Sequence, residues 1–85
     1  MDVVILTQAH CAFCQDAQRI LERLAREYVL TVRNVDLNSA EGQALAQAGG
    51  VLLPPGIVID GQAVSHGRPS ERRLRRELDR MAASR

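Results

Sequence analysis

The sequence contains no lysine and no tryptophan, and its only aromatic residues are Phe13 and Tyr28. A core with so few rings must be built from aliphatic side chains, so a phenylalanine standing between two cysteines needs another explanation. No apolar run approaches the roughly 20 residues that cross a bilayer. Asp2 also stands where a secretory signal would carry positive charge. We therefore expect a cytoplasmic protein that makes no membrane contact.

Charge is balanced overall but unevenly distributed. The net charge is +1 at pH 7, yet residues 66–85 hold seven arginines against three acidic residues, and residues 1–65 hold four arginines against seven. We interpret the basic segment as a solvated helix face, with binding to an acidic partner, a membrane or nucleic acid as the alternative. No aromatic or glycine-rich RNA-binding motif accompanies it, so we expect no nucleic-acid partner.

The first half of the chain predicts a strand, a helix and a second strand. Val3–Leu6 is a continuous apolar run, typical of a strand buried on both faces. From Cys14 onward the apolar residues recur at helical spacing, which predicts a helix that begins near Cys11 and ends near Glu27. The β-branched segment Leu30–Asp36 predicts a second strand. The apolar positions of the helix are Ala17, Ile20, Leu21, Leu24 and Tyr28.

A weaker helix follows, over Ala40–Ala48. Asn38 followed by Glu41 fits a capping signal, and Gly49-Gly50 is expected to end the helix. Gly42 lowers the helical propensity of this segment.

The last part predicts a hairpin and a third helix. Ile57–Ile59 and Gln62–Ser65 flank Asp60-Gly61, a strong two-residue turn signal. Ser70 is expected to cap a helix whose apolar positions are Leu74, Leu78 and Met81. The order is β-α-β-α-β-β-α, which predicts an α/β fold with a four-stranded mixed sheet and helices on both faces. At 85 residues the chain is expected to form one domain, residues 1–85.

Cys11-Ala12-Phe13-Cys14 is the motif with the clearest chemistry. The strand-to-helix junction places Cys11 at or next to the helix N-cap, where free N–H groups and the helix dipole favour a thiolate. Cys14 lies one turn further on the same side. We predict that Cys11 is the attacking thiol and Cys14 the resolving thiol of a redox-active pair. A protonated His10 would lower the pKa of the Cys11 thiol further.

Three other interpretations of the same pair remain open. A structural zinc site would need two more ligands, and only His10 and His66 are available, so no resident metal is expected. A metal or iron–sulfur carrier is the second, although soft-metal chaperones of this type have methionine where Ala9 stands. The third is a non-catalytic binding module in which the cysteines have no redox role.

The chain resembles the glutaredoxin branch of the thioredoxin superfamily. The resemblance rests on Val3–Leu6, on the cysteine motif, and on Pro55 placed five residues before the aspartate of the hairpin turn. It implies that Pro55 is a cis-proline packed against the cysteine pair, and that backbone atoms of Pro54 face the substrate chain. Phe13 stands where glutaredoxins commonly have tyrosine or another bulky residue.

The resemblance implies a thiol–disulfide oxidoreductase that acts as a monomer and has no cofactor beyond its own disulfide. Its partners would be a disulfide-containing protein or small molecule, and an upstream reductase or small thiol. Gln8 stands where glutaredoxins usually have the lysine that holds the glutathione carboxylate, and Ser65–Ser70 replaces their Gly-Gly-x-Asp. Ser65–Pro69 is partly similar to the Ser-Gly-Phe-Arg-Pro segment of glutaredoxin-like reductants that accept electrons from thioredoxin reductase. Glutathione and a thioredoxin-type reductase therefore both remain candidate electron donors.

Overall fold

Strands and helices follow one another in the predicted order. The computed structural model describes residues 1–84 of the chain. Its elements are β1 (Asp2–Thr7), α1 (Ala12–Leu24), β2 (Thr31–Asp36), α2 (Ala40–Gly49), β3 (Gly56–Ile59), β4 (Gln62–His66) and α3 (Glu71–Ala83).

The four strands form one mixed sheet in the order β2-β1-β3-β4. β1 pairs with β2 in parallel and with β3 in antiparallel orientation. Leu6 near the end of β1 lies opposite Gly56 at the start of β3. The loop that leaves β1 and the loop that enters β3 therefore meet at one end of the sheet. Cys11 ends the first of these loops, and the two adjacent prolines lie in the second.

Alternating side chains of the central strands build a core on each face of the sheet. On β1, Val3 and Ile5 join one cluster and Leu6 joins the other, as expected for a strand buried on both faces. The first cluster includes α1 and α3, and the second includes Ala46 of α2. The α/β class, the mixed sheet and the helices on both faces are thus confirmed.

The first helix ends earlier than predicted, at Leu24 instead of Glu27. The N–H of Glu27 bonds to the carbonyl of Leu24 at 2.9 Å, which tightens the chain into a turn. Tyr28 therefore lies outside the helix, where it packs half-buried against the core. Its hydroxyl donates to Asp79 of α3, and this hydrogen bond raises the pKa of Tyr28.

The predicted cap of α2 is wrong by one residue. Ser39, not Asn38, is the N-cap: its hydroxyl accepts from the N–H of Gly42 at 3.0 Å and donates to the carbonyl of Asp36 at 2.6 Å. The N–H of Asn38 is held by the Asp36 carboxylate at 2.8 Å. A tight turn therefore comes before the helix, and it shifts the cap to the serine. The helix also runs one residue further than predicted, through Gly49.

Two ion pairs join α1 and its following turn to α3. Arg23 contacts Glu71 and Arg75 contacts Glu27, each at 2.7 Å. The hydrogen bond from Arg75 lowers the pKa of Glu27. Exposed pairs of this kind contribute about 0–1 kcal/mol each, so they orient α3 more than they stabilise it.

Candidate active site

The two cysteines lie at the start of α1, where the loop after β1 enters the helix. Cys11 is the N-cap, with extended backbone (φ −114°, ψ 102°), and Cys14 is in the first turn. Their Cα atoms are 5.2 Å apart and a disulfide joins them. Cys14 is only 3% exposed, whereas Cys11 is half-buried. An incoming sulfur can therefore approach Cys11 more readily than Cys14.

The helix start surrounds the Cys11 sulfur with positive partial charge. The backbone N–H of Cys14 donates to Sγ of Cys11 at 3.1 Å, so the cysteine caps the helix as a serine would. The first turn contains no acidic residue. Asp16, the nearest carboxylate along the helix, is paired with Arg19 at 2.6 Å. The Cys11 sulfur therefore lies in an environment that favours negative charge.

The loop between α2 and β3, residues 50–55, lies at the same end of the sheet as Cys11, and we call it the proline loop. The Pro54–Pro55 peptide bond is cis, as the resemblance to glutaredoxins implied for Pro55. Pro55 is buried and Pro54 is half-buried. The N–H of Gly67 donates to the carbonyls of both Leu53 and Pro55 at 3.0 Å. The segment after β4 therefore anchors this loop, with glycine at a positive φ of 75°.

Three large apolar side chains are exposed at this end of the sheet, and we call them the apolar rim: Phe13 in the first turn of α1, and Leu52 and Leu53 in the proline loop. Their exposed fractions are 45%, 80% and 61%. Phe13 was a predicted site residue. Sequence reasoning missed the two leucines, because an apolar dipeptide of this kind usually indicates a core position. These exposed side chains are candidates for contact with apolar groups of a substrate.

Gln8 and His10 occupy the loop between β1 and Cys11, and both are exposed. His10 has a left-handed backbone conformation (φ 57°), which turns the chain into the cap. His66 lies at the exposed end of β4. Within residues 1–84 there is no group of three or more His, Cys, Asp or Glu side chains that could hold a metal ion. No helix in the same part of the chain is long and apolar enough to span a membrane.

A mixed sheet with a cysteine pair at the start of the first helix and a cis-proline before β3 defines the thioredoxin fold. Residues 3–64 match the pattern of the glutaredoxin family, and the chain belongs to that family.

The similar proteins include both glutaredoxins and thioredoxins. Oxidised Escherichia coli glutaredoxin is 28% identical with a TM-score of 0.69, over 93% of this chain and 99% of its own. A mutant thioredoxin from Halobacterium salinarum is 29% identical with a TM-score of 0.69, over 93% of this chain and 72% of its own. An Archaeoglobus fulgidus protein described as a probable thioredoxin is 26% identical over 77 residues, which are 91% of this chain and 85% of its own.

Proposed function

We propose that the protein is a dithiol–disulfide oxidoreductase that reduces disulfides of protein or small-molecule substrates, within a reducing cytoplasm. The observation that carries the proposal is the asymmetry of the pair. Cys11 is accessible and its sulfur accepts a hydrogen bond from the N–H of Cys14, while the Cys14 side chain is buried. Family membership and the cis-proline loop support the same assignment.

The reaction has two exchange steps. The Cys11 thiolate attacks one sulfur of the substrate disulfide, forming a mixed disulfide and releasing the other sulfur as a thiolate. The Cys14 thiolate then attacks Sγ of Cys11, which releases the second substrate sulfur and closes the Cys11–Cys14 disulfide. Two electrons pass from the dithiol to the substrate, and an external reductant returns them.

The proline loop and the apolar rim would position the substrate. Phe13 lies within the cysteine motif and Pro54 within the proline loop, so both are candidates for contact with the groups that flank a substrate disulfide. Gln8 lies on the neighbouring loop and offers an amide where glutaredoxins usually have a lysine charge. An amide binds a carboxylate less strongly than a cation does, which leaves a thioredoxin-type reductase as a donor beside glutathione.

Serine substitution of each cysteine tests the proposed roles. With hydroxyethyl disulfide as substrate, Cys11→Ser should reduce turnover to background, because the attacking sulfur is gone. Cys14→Ser should instead accumulate a mixed disulfide on Cys11, visible as an added mass on the intact protein. Equal loss in both variants with no trapped adduct would contradict these roles.

A comparison of reductants tests the donor. The oxidised protein is treated with glutathione alone, or with thioredoxin reductase and NADPH, and free thiols are counted over time. Efficient reduction by glutathione would show that the site accepts glutathione despite Gln8 and the apolar residues Leu52 and Leu53.

Visible absorption of the freshly purified protein tests the alternative function. A coloured protein would indicate an iron–sulfur carrier.

A further inference from the structure

The arginines of the structure divide into paired and unpaired groups. Within residues 1–84, half of them have a carboxylate partner within 4 Å and the other half have none. The unpaired ones are Arg26, Arg68, Arg72, Arg73 and Arg76. All but Arg26 belong to α3 or to the segment that leads into it. We call Arg68, Arg72, Arg73 and Arg76 the basic face.

Neither core packing nor ion pairing within the fold accounts for this cluster of arginines on α3. Leu74 and Leu78 face the core, and Arg75 turns to α1 and pairs with Glu27. By helical geometry, the arginines of the basic face on α3 project from its outer side and from the flank towards β4. Two of them occupy the first turn, where the helix dipole disfavours cations. Like charges three and four residues apart also repel one another.

Nearby acidic residues do not neutralise the basic face. Glu71 is held by Arg23 at 2.7 Å and lies 3.7 Å from Arg75, and Glu77 is held by Arg80 at 2.8 Å. A shallow cavity of about 350 Å³ runs among Ser70, Arg72, Arg73, Arg76 and Glu77. The cluster therefore keeps its positive charge on an open surface.

The basic face adjoins the proline loop. Arg73 lines a second cavity, of about 180 Å³, together with Val51 and His66. His66 is opposite Gly56, the residue directly after the cis-proline. Arg68 follows Gly67, whose N–H holds the carbonyls of that loop. A molecule bound to the basic face therefore also lies beside the proline loop.

We propose that the basic face is the docking surface for an acidic protein partner, whose disulfide it brings to Cys11. The inference rests on the proposed redox function and adds the partner's charge to it. Pro54 has no N–H to offer a substrate backbone, so charge contacts beside the loop supply the positioning that this hydrogen bond would provide.

A protein fits this surface better than a nucleic acid does. Proteins that bind single-stranded nucleic acids combine a basic groove with aromatic side chains on which the bases stack. The chain has two aromatic residues: Phe13 stands between the two cysteines, and the Tyr28 hydroxyl is bonded to Asp79. The basic face therefore has the positive charge that would attract phosphates, but it has no aromatic surface on which bases could stack.

Three peptides test the proposal. Each carries a quencher attached through a disulfide, and they differ only at four positions that flank the disulfide, which are Glu, Gln or Lys. The second-order rate constant of reduction is measured with pre-reduced protein at 20 and 300 mM NaCl. We expect the Glu peptide to react about 10-fold faster than the Lys peptide at low salt, and the difference to shrink at high salt. The triple variant Arg72→Gln, Arg73→Gln, Arg76→Gln should remove the preference. Arg26→Gln, an unpaired arginine beyond the far end of α1, is the control and should keep it.

Two further measurements separate docking from chemistry. Hydroxyethyl disulfide, which is uncharged, reports the dithiol activity alone and should react equally with all variants. Fluorescence anisotropy with disulfide-free versions of the peptides reports binding alone, so docking remains measurable if the redox activity fails. Equal binding of the Glu and Lys peptides would overturn the proposal. Tighter binding of an oligothymidylate than of the Glu peptide at matched charge would overturn it as well, in favour of nucleic acid.

Discussion

Pro54 offers the sharpest single-residue test of how this site binds substrates. The resemblance to glutaredoxins implies that the backbone of the residue before the cis-proline pairs with the substrate chain, and a proline has no N–H for that purpose. We predict that Pro54→Val and Pro54→Ala, which both restore the N–H, increase activity on extended protein disulfides.

The expected magnitude follows from one hydrogen bond. A backbone hydrogen bond contributes about 0.5–1.5 kcal/mol net. Since about 1.4 kcal/mol corresponds to a tenfold change in rate, kcat/KM should increase roughly two- to tenfold. Pro54 is only half-buried, so substitution leaves no large cavity and the fold should keep most of its stability.

The assay compares two substrates. Reduction of insulin disulfides reports binding of an extended chain, and reduction of hydroxyethyl disulfide reports the thiol chemistry without a peptide backbone. Both variants should be faster than the original protein on insulin and unchanged on hydroxyethyl disulfide. Thermal unfolding of each variant verifies that the loop still folds.

Two outcomes would refute the reasoning. If neither variant is faster on insulin while both keep the hydroxyethyl disulfide rate, the missing N–H does not limit substrate binding. If Pro54→Val is faster and Pro54→Ala is not, the gain comes from the valine side chain and not from the backbone.

The remaining predictions concern glycines and one ion pair. Gly42→Ala should destabilise the protein by about 1–3 kcal/mol in urea unfolding despite the higher helix propensity of alanine, because its Cβ would collide with the backbone carbonyl of the last residue of β2; an unchanged or higher midpoint would contradict this. Gly67→Ala should cost about 1–2 kcal/mol for its positive φ and also slow turnover by loosening the proline loop. Gly61→Ala, at a similar φ of 81° in the hairpin turn, should lose similar stability and keep its activity, so equal activity losses in the two variants would refute the anchoring role. The Glu27 carboxyl should titrate below its usual 4.5 by NMR, and Arg75→Gln should raise that pKa. Because the folded pKa is lowered, this pair stabilises the protein above pH 4.5 and its contribution disappears as the pH falls through the folded pKa; an unchanged titration in the variant would contradict the pairing.

Elements set by local chemistry were predictable from the sequence. Val3–Leu6 is apolar at every position, and only a strand covered on both faces buries such a run. Asp60 and Gly61 adopt positive φ values of 48° and 81°, as expected for a two-residue hairpin turn. The helical periodicity that begins at Cys14 placed Cys11 at the cap. The centre of the site therefore follows from the strand-to-helix junction.

Features that depend on the packing of distant segments were not predictable. Gly67 anchors the proline loop across 12 residues of sequence, and nothing in its neighbours indicates that contact. Asn38 and Ser39 are both good caps, and the choice between them depends on the hydrogen bonds of Asp36. An apolar dipeptide such as Leu52-Leu53 usually indicates core, but here the turn into the cis-proline leaves it exposed.

The basic face and Pro54 bear on one physical question, which is how a disulfide is held in line with Cys11. A backbone hydrogen bond positions any extended chain, because every substrate peptide offers the same groups. Arginines act over longer range and only on partners with a complementary surface. A site that uses arginine contacts in place of the backbone hydrogen bond should lose general activity on unfolded proteins and gain selectivity for an acidic partner. Restoring the N–H at position 54 and removing the charges of Arg72, Arg73 and Arg76 should therefore shift substrate preference in the same direction, towards uncharged extended chains.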